Sequence, residues 1–213
     1  MKIVQIIKKL NNTELGKGGT HECYVHIPKE LNINDFLEKE EEVKNFIYKK
    51  NGKKYQIRCT IGREKRIVGL GDFYRDYKMS AGDEIILERY IEENGKSRYS
   101  INFNKRKDIL MIQKCKDGFE ILNEEMIDVI ATDSNVYYEG EIKKMTIEYI
   151  NAVKKRADSP RKTDIYDIKV DGVSLANQFK SKDMVEIQFD NNQNRAYINN
   201  ICTWRKYIFD MED

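Results

Sequence analysis

The sequence predicts a mainly β front half with short helices, followed by a small α+β unit, and three observations carry that expectation. Up to about residue 104, apolar and polar residues alternate over short runs, which is the period of a half-buried strand. Turn signals punctuate those runs at Asn51-Gly52, Gly82-Asp83 and Asn94-Gly95, at intervals suited to a small barrel or sandwich. Beyond them, "GEIKKMTIEYINAVKKRADS" spaces Ile142, Met145, Ile150 and Val153 near one face of a helix, with Gly140 just before it.

The elements follow in order. "MKIVQIIKKL" reads as a first strand, with Ile3, Gln5 and Ile7 on one face and Val4, Ile6 and Lys8 on the other. A long polar, glycine-rich arm, "NNTELGKGGTH", separates it from "ECYVHIP", where Cys23, Val25 and Ile27 alternate with polar neighbours until Pro28 ends the ladder. In "NINDFLEKEEEVKNFIYKK", Asn34 is placed to cap a short helix through Leu37, and the glutamates after it read equally well as a solvated connection. "NFIYKKNGKKYQIRCTI" is a hairpin about Asn51-Gly52, and "GREKRIVGL" leads from it through a basic turn into a short apolar run. "GDFYRDYKMSAGDEIILERYIEENGKSRYSINF" gives a short helix, a Gly-Asp turn and a second hairpin. There Phe73 and Tyr77 face a core, which makes the segment scaffold. In the back half, "KDGFEILNEEMIDVIA" suggests a hairpin running into a helix, and "TDIYDIKVDGVSL", "DMVEIQFDNNQNRAYINNICTW" and "RKYIF" read as strands. The expected division is 1–106 and 107–213.

The totals narrow the function classes. No run of about 18 apolar residues occurs, which excludes a spanning helix, and the N-terminus turns polar too quickly for a signal peptide. Cys23, Cys59, Cys115 and Cys202 are scattered without a C-x-x-C pair, the pattern of reduced thiols in a cytoplasmic protein. His21, Cys23 and His26 lack the fourth ligand and the second close pair that a zinc site needs, so no metal or other cofactor is expected. The net charge of +2 says little, but its distribution says more. Residues 1–110 hold 23 Lys+Arg against 17 Asp+Glu (+6), and the remainder holds 15 against 19 (−4), so the front unit is the better suited to a polyanion.

Two stretches of that front unit carry recognition chemistry. The first arm offers Asn11, Asn12, Thr13, Lys17, Thr20 and His21 as donors and acceptors for base edges and phosphates, with glycines that permit close backbone approach. Its "GKGG" matches neither phosphate-loop fingerprint, and no long helix follows it. The second arm, "RCTIGREKR", presents Arg58, Thr60, Arg63, Lys65 and Arg66 about a turn between apolar strands. Arginine forks fit guanine O6/N7 or phosphate, and lysine supplies a point charge. Taken by composition alone, each stretch is also what a solvated loop looks like.

"FYRDYKMSAGDEIILE", with its aromatic-Tyr-Arg-Asp helix leading through Lys-Met and Gly-Asp-Glu into a strand, resembles the plant B-three DNA-binding domain. "KKLNNTELGKGGTHECYVHIPKE" resembles the start of the related effector domain of EcoRII-type restriction endonucleases. Together they cover roughly residues 1 to 104. The resemblance implies a seven-stranded open pseudobarrel that grips the major groove of double-stranded DNA with two arms, here residues 11 to 22 and about 58 to 66. It also implies a place in a bacterial restriction system of EcoRII-like, BfiI-like or McrB-like (LlaJI-type) kind. The partner would be a restriction motor or nuclease, as a separate subunit or a further domain.

Nuclease activity in this chain is not expected. Asp158, Asp164 and Asp167-Ile168-Lys169 can be drawn into an Asp…(D/E)-x-K metal scheme, but only 44 residues follow Lys169, little room for the rest of such a core. No Walker-type sequence appears. The remaining alternatives are a complete small Mg-dependent restriction endonuclease and a protein-interaction module whose arms grip a protein.

Overall fold

Alternation of the kind seen in the first ten residues governs most of the chain. In the computed structural model, residues 1–17, 22–37, 39–60, 62, 64–126, 133–154, 162–190, 192–193, 195–201 and 203–211 are described. The strands are β1 (Lys2–Lys9), β2 (Tyr24–His26), β3 (Lys44–Tyr48), β4 (Lys54–Cys59), β5 (Arg66–Val68), β6 (Glu84–Ile91), β7 (Ser97–Asn104), β8 (Ile109–Lys114) and β9 (Phe119–Ile121). They continue with β10 (Asp133–Tyr138), β11 (Glu141–Val153), β12 (Thr163–Val170), β13 (Val173–Ser174), β14 (Met184–Asp190), β15 (Arg195–Asn200) and β16 (Trp204–Asp210). The helix α1 (Gly71–Asp76) lies between β5 and β6. The chain forms two units, Met1–Lys105 with Cys202–Asp213, and Arg106–Ile201.

The first unit is a curled eight-stranded sheet in the order β16-β1-β6-β7-β3-β4-β5-β2. Its pairs are antiparallel except β3 with β7. Val4, Ile6, Ile57, Ile67, Ile85, Leu87 and Ile101 point inward from alternate positions, and Phe36, Phe46, Phe73 and Tyr99 fill the space between them. Phe73 is fully buried and Tyr77 packs against the same core, as the sequence pattern requires of α1 and its exit. The β3–β4 and β6–β7 turns carry Gly52 and Gly95 at φ +72° and +78°, the left-handed backbone that Asn-Gly turns supply. Where the sequence suggests a helix capped by Asn34, a single 3-10 turn spans Ile33–Asp35, and its cap is Asn32, whose side chain accepts from Asn34 N. The final strand belongs here too: β16 pairs with β1 from Lys2↔Asp210 to Lys8↔Trp204.

The second unit is a closed seven-stranded barrel, β11-β10-β15-β14-β8-β9-β12 and back to β11, with β13 added on β12. The α+β expectation is corrected here: among the described residues the unit has 3-10 turns at Glu124–Met126 and Leu175–Gln178 and no α-helix. Residues 141–153, expected as its helix, form the strand that closes the barrel, pairing with β10 on one side and β12 on the other. Of the apolar face read at helical spacing, only Met145 is fully buried, and Ile142 and Ile150 lie exposed. Thr146, Ile147, Tyr149, Ile150 and Val153 are β-branched or aromatic, and two neighbouring edges offer their backbones partners, so tertiary pairing overrides a four-residue coincidence of spacing. The barrel is filled by Leu110, Ile112, Phe119, Val136, Met145, Ile168, Val185 and Ile187. Residues 127–132 and 155–161, which hold parts of two expected helices, lie outside the described residues.

Candidate nucleic-acid interface

The two arms meet the sheet at one corner, where β2, β5 and β4 lie side by side. Val25, Ile67 and Cys59 point into the core from this corner. Strand alternation therefore turns Tyr24 and His26 of β2, Arg66 and Val68 of β5, and Arg58 of β4 outward. Register aligns them in two rows: Tyr24 opposite Val68 opposite Arg58, and His26 opposite Arg66 opposite Thr60. Thr60 closes the second arm twice, its N–H donating to Arg66 O (2.8 Å) and its hydroxyl accepting from Arg66 N (3.1 Å). Gly69 ends β5 at φ +92°, where a Cβ would stand 2.1 Å from Gln56 O, so only glycine lets the chain pass this close to β4.

Above the corner lies a groove of about 590 Å³ lined by Glu22 and Cys23 from the first arm and by Arg58, Thr60, Gly62, Glu64, Arg66 and Val68. Arg66 is the most constrained of these side chains. Its guanidinium lies over the Tyr24 ring, 4.5 Å from the centroid, hydrogen-bonds Glu64 at 2.9 Å and pairs with Glu22 at 3.6 Å. That hydrogen bond holds the Glu64 carboxyl below the usual carboxylate range. Arg58 pairs with Glu41 and Lys65 with Glu40. Glu41 adopts φ +61° and donates its N–H to Cys59 O, so the acidic segment that reads as a solvated connection is clasped to the base of the second arm.

The first arm is anchored by chemistry that its sequence does not advertise. Asn11 and Glu14 form a reciprocal turn: Asn11 Oδ1 accepts from Glu14 N (3.0 Å) and Glu14 Oε2 accepts from Asn11 N (3.2 Å). The same carboxylate accepts from His26 N and pairs with Lys8 at 3.2 Å, both side chains nearly inaccessible. Burial pushes Glu14 above the usual carboxylate range and Lys8 below the usual amine range, with their mutual attraction opposing both shifts. Leu15 then bridges Cys23, so the tip of the arm begins only at Gly16.

Of the residues singled out in sequence, Arg58, Thr60 and Arg66 are brought together in the groove. Thr13 and Lys17 are exposed on the first arm, Asn12 accepts the Lys17 N–H through its carbonyl, and Asn11 serves the turn at the arm's base. Lys65 does not line the groove. Thr20, His21 and Arg63 lie outside the described residues. Sequence reasoning missed Glu22, Glu64 and Tyr24 and weighed the exposed His26 only as a metal ligand, and the period-two alternation of "ECYVH" and "EKRIV" is the signal that places them on one face. In the second unit, Asp167 accepts from Ser174 Oγ (2.6 Å) and Lys169 pairs with Glu148 (2.6 Å). Among the described residues no group of three or more His, Cys, Asp or Glu side chains is arranged to hold a metal ion. No described helix is long and apolar enough to cross a membrane. No protein-family model matches the chain, and no curated protein matches it.

Proposed function

We propose that the first unit binds double-stranded DNA at a specific site through the major groove, as the targeting part of a bacterial restriction system, with its curled sheet serving as the open pseudobarrel of a B-three-type domain. The observation that carries this reading is the outward row of Arg66 and Thr60, with Arg58 beside it, on a three-strand corner between two arms. The major groove, about 12 Å wide, admits a β-ribbon, and arginine forks and hydroxyls projecting from such a ribbon reach base edges. Arg66 and Arg58 read bases, and exposed Lys17 holds phosphate. The second unit is left to a motor or nuclease partner. A protein is the competing occupant of the groove, favoured by the carboxylates that pair its cations.

Selection from random duplexes followed by binding assays tests this. Arg66→Ala and Arg58→Ala should each cost about 1–3 kcal/mol on the selected site and relax preference at one position, whereas Lys17→Ala should weaken all sequences alike. Selection without an enriched motif, or wild-type affinity in both arginine variants, defeats the reading.

A further inference from the structure

Arg66 is the cation best placed to read a base, yet in the free protein both ends of its guanidinium face carboxylates: Glu64 at 2.9 Å on Nη2 and Glu22 at 3.6 Å on Nη1. Glu64 belongs to the second arm and Glu22 to the first, so the two arms meet at this one side chain. Both glutamate side chains are about two-thirds exposed, at 65% and 64%, while Arg66 is 30% exposed and rests on Tyr24. Exposed ion pairs of this kind contribute little to stability, typically about 0–1 kcal/mol, so stability gives a weak reason for two of them on one arginine. Their consequence for a polyanion is larger. Non-specific binding to DNA depends on cations that neutralise phosphates and release counterions, and a guanidinium already flanked by two carboxylates is a poor phosphate partner. A guanine edge is a different partner. It presents O6 and N7 to a planar fork, carries no full charge to repel the carboxylates, and sits beside a cytosine amino group that a carboxylate can accept from.

We infer that Glu22 and Glu64 are specificity-determining residues that hold the Arg66 fork over Tyr24 and set it to select base edges over phosphate. The inference rests on the DNA-binding reading above. Suppressing the non-specific competitor raises discrimination without any added contact to the cognate site.

The test uses the full chain and a random-sequence duplex of roughly 20 base pairs, titrated between about 50 and 200 mM salt. Glu22→Gln/Glu64→Gln keeps size and hydrogen-bonding capacity while removing both charges. Freeing Arg66 for one phosphate contact should tighten random-duplex binding several-fold and steepen the salt slope by about 0.9, an extra loss of roughly 3.5-fold across that range. The ratio of selected-site to random affinity should fall accordingly. Glu93→Gln removes a charge in the β6–β7 turn, away from the groove lining, and should leave the slope unchanged. The charge filter is overturned if the double variant keeps wild-type affinity and slope on random duplex, or if Glu93→Gln reproduces its effect. In both cases, continued weakening of the selected site by Arg66→Ala leaves DNA binding standing. If neither wild type nor double variant binds any duplex at the lower salt, the DNA reading itself fails and takes the filter with it.

Discussion

At the scale of single residues, the outer face of the first sheet shows how a polar side chain acquires a structural role. Burial alone would raise the Glu88 carboxyl, but it accepts from Gln5 (2.8 Å), Tyr90 (2.6 Å) and Ser100 (2.7 Å) and pairs with Lys49 (2.9 Å). These bonds outweigh burial and pull its pKa from 4.5 down to about 2. A carboxylate depressed in the folded state contributes stability that is fully present above the unfolded value, near 4.5, and is lost as pH falls through about 2. After allowance for solvent screening, Glu88→Gln should cost on the order of 1–2 kcal/mol at neutral pH, with the difference from wild type shrinking between about pH 4.5 and 2. Urea denaturation across that range measures it, and a pH-independent difference would show that packing, not ionisation, carries the effect. At this scale the sequence shows a polar cluster, Arg58, Thr60, Arg63, Lys65 and Arg66 about one turn, and its alternation sets Glu64 on the side of Arg66. The β4–β5 pairing is what brings Arg58 and Thr60 to the same groove as Arg66. The carboxylates that pair Arg58 and Lys65 carry no such local signal. Glu41 reaches Arg58 across 17 positions and Glu40 reaches Lys65 across 25, distances in sequence that only the curl of the sheet closes.

At the scale of elements, β11 is the instructive case. Spacing of Ile142, Met145, Ile150 and Val153 reads as a helical face, while the ladder to β10 and β12 makes the same residues a strand with Ile142 outward and Met145 inward. The two geometries differ in a measurable way. Ile142→Lys should fall within about 0.5 kcal/mol of wild type, because the side chain is half exposed, whereas Met145→Ala should cost roughly 2–5 kcal/mol by leaving a hole in the barrel core. Equal, large losses from both substitutions would favour the helical face. The hairpins gave no such ambiguity, since Asn51-Gly52 and Asn94-Gly95 require a left-handed residue at a fixed offset whatever surrounds them.

At the scale of the whole molecule, the chain returns to its beginning. β16 lies along β1, Arg205 pairs with Glu84 and Lys206 with Asp35, and Trp204 packs against the first core. Deleting residues 202–213 should lower the melting transition of the first unit by roughly 10 °C or more, through lost strand pairing and burial, and leave that of the second in place. Calorimetry of the full and shortened chains measures this, and an unmoved first transition would show β16 to be dispensable. By itself the sequence determined the local matters: strand periods, turn positions, the short α1 and the two polar arms. These depend on neighbours within a few residues, where sterics and alternation act. Only the tertiary structure decided that residues 141–153 close a barrel, that the last strand joins the first sheet, and that Glu22 of the first arm reaches Arg66 of the second. Each of those depends on partners brought together by the fold, whose backbone hydrogen bonds and charges no local pattern specifies.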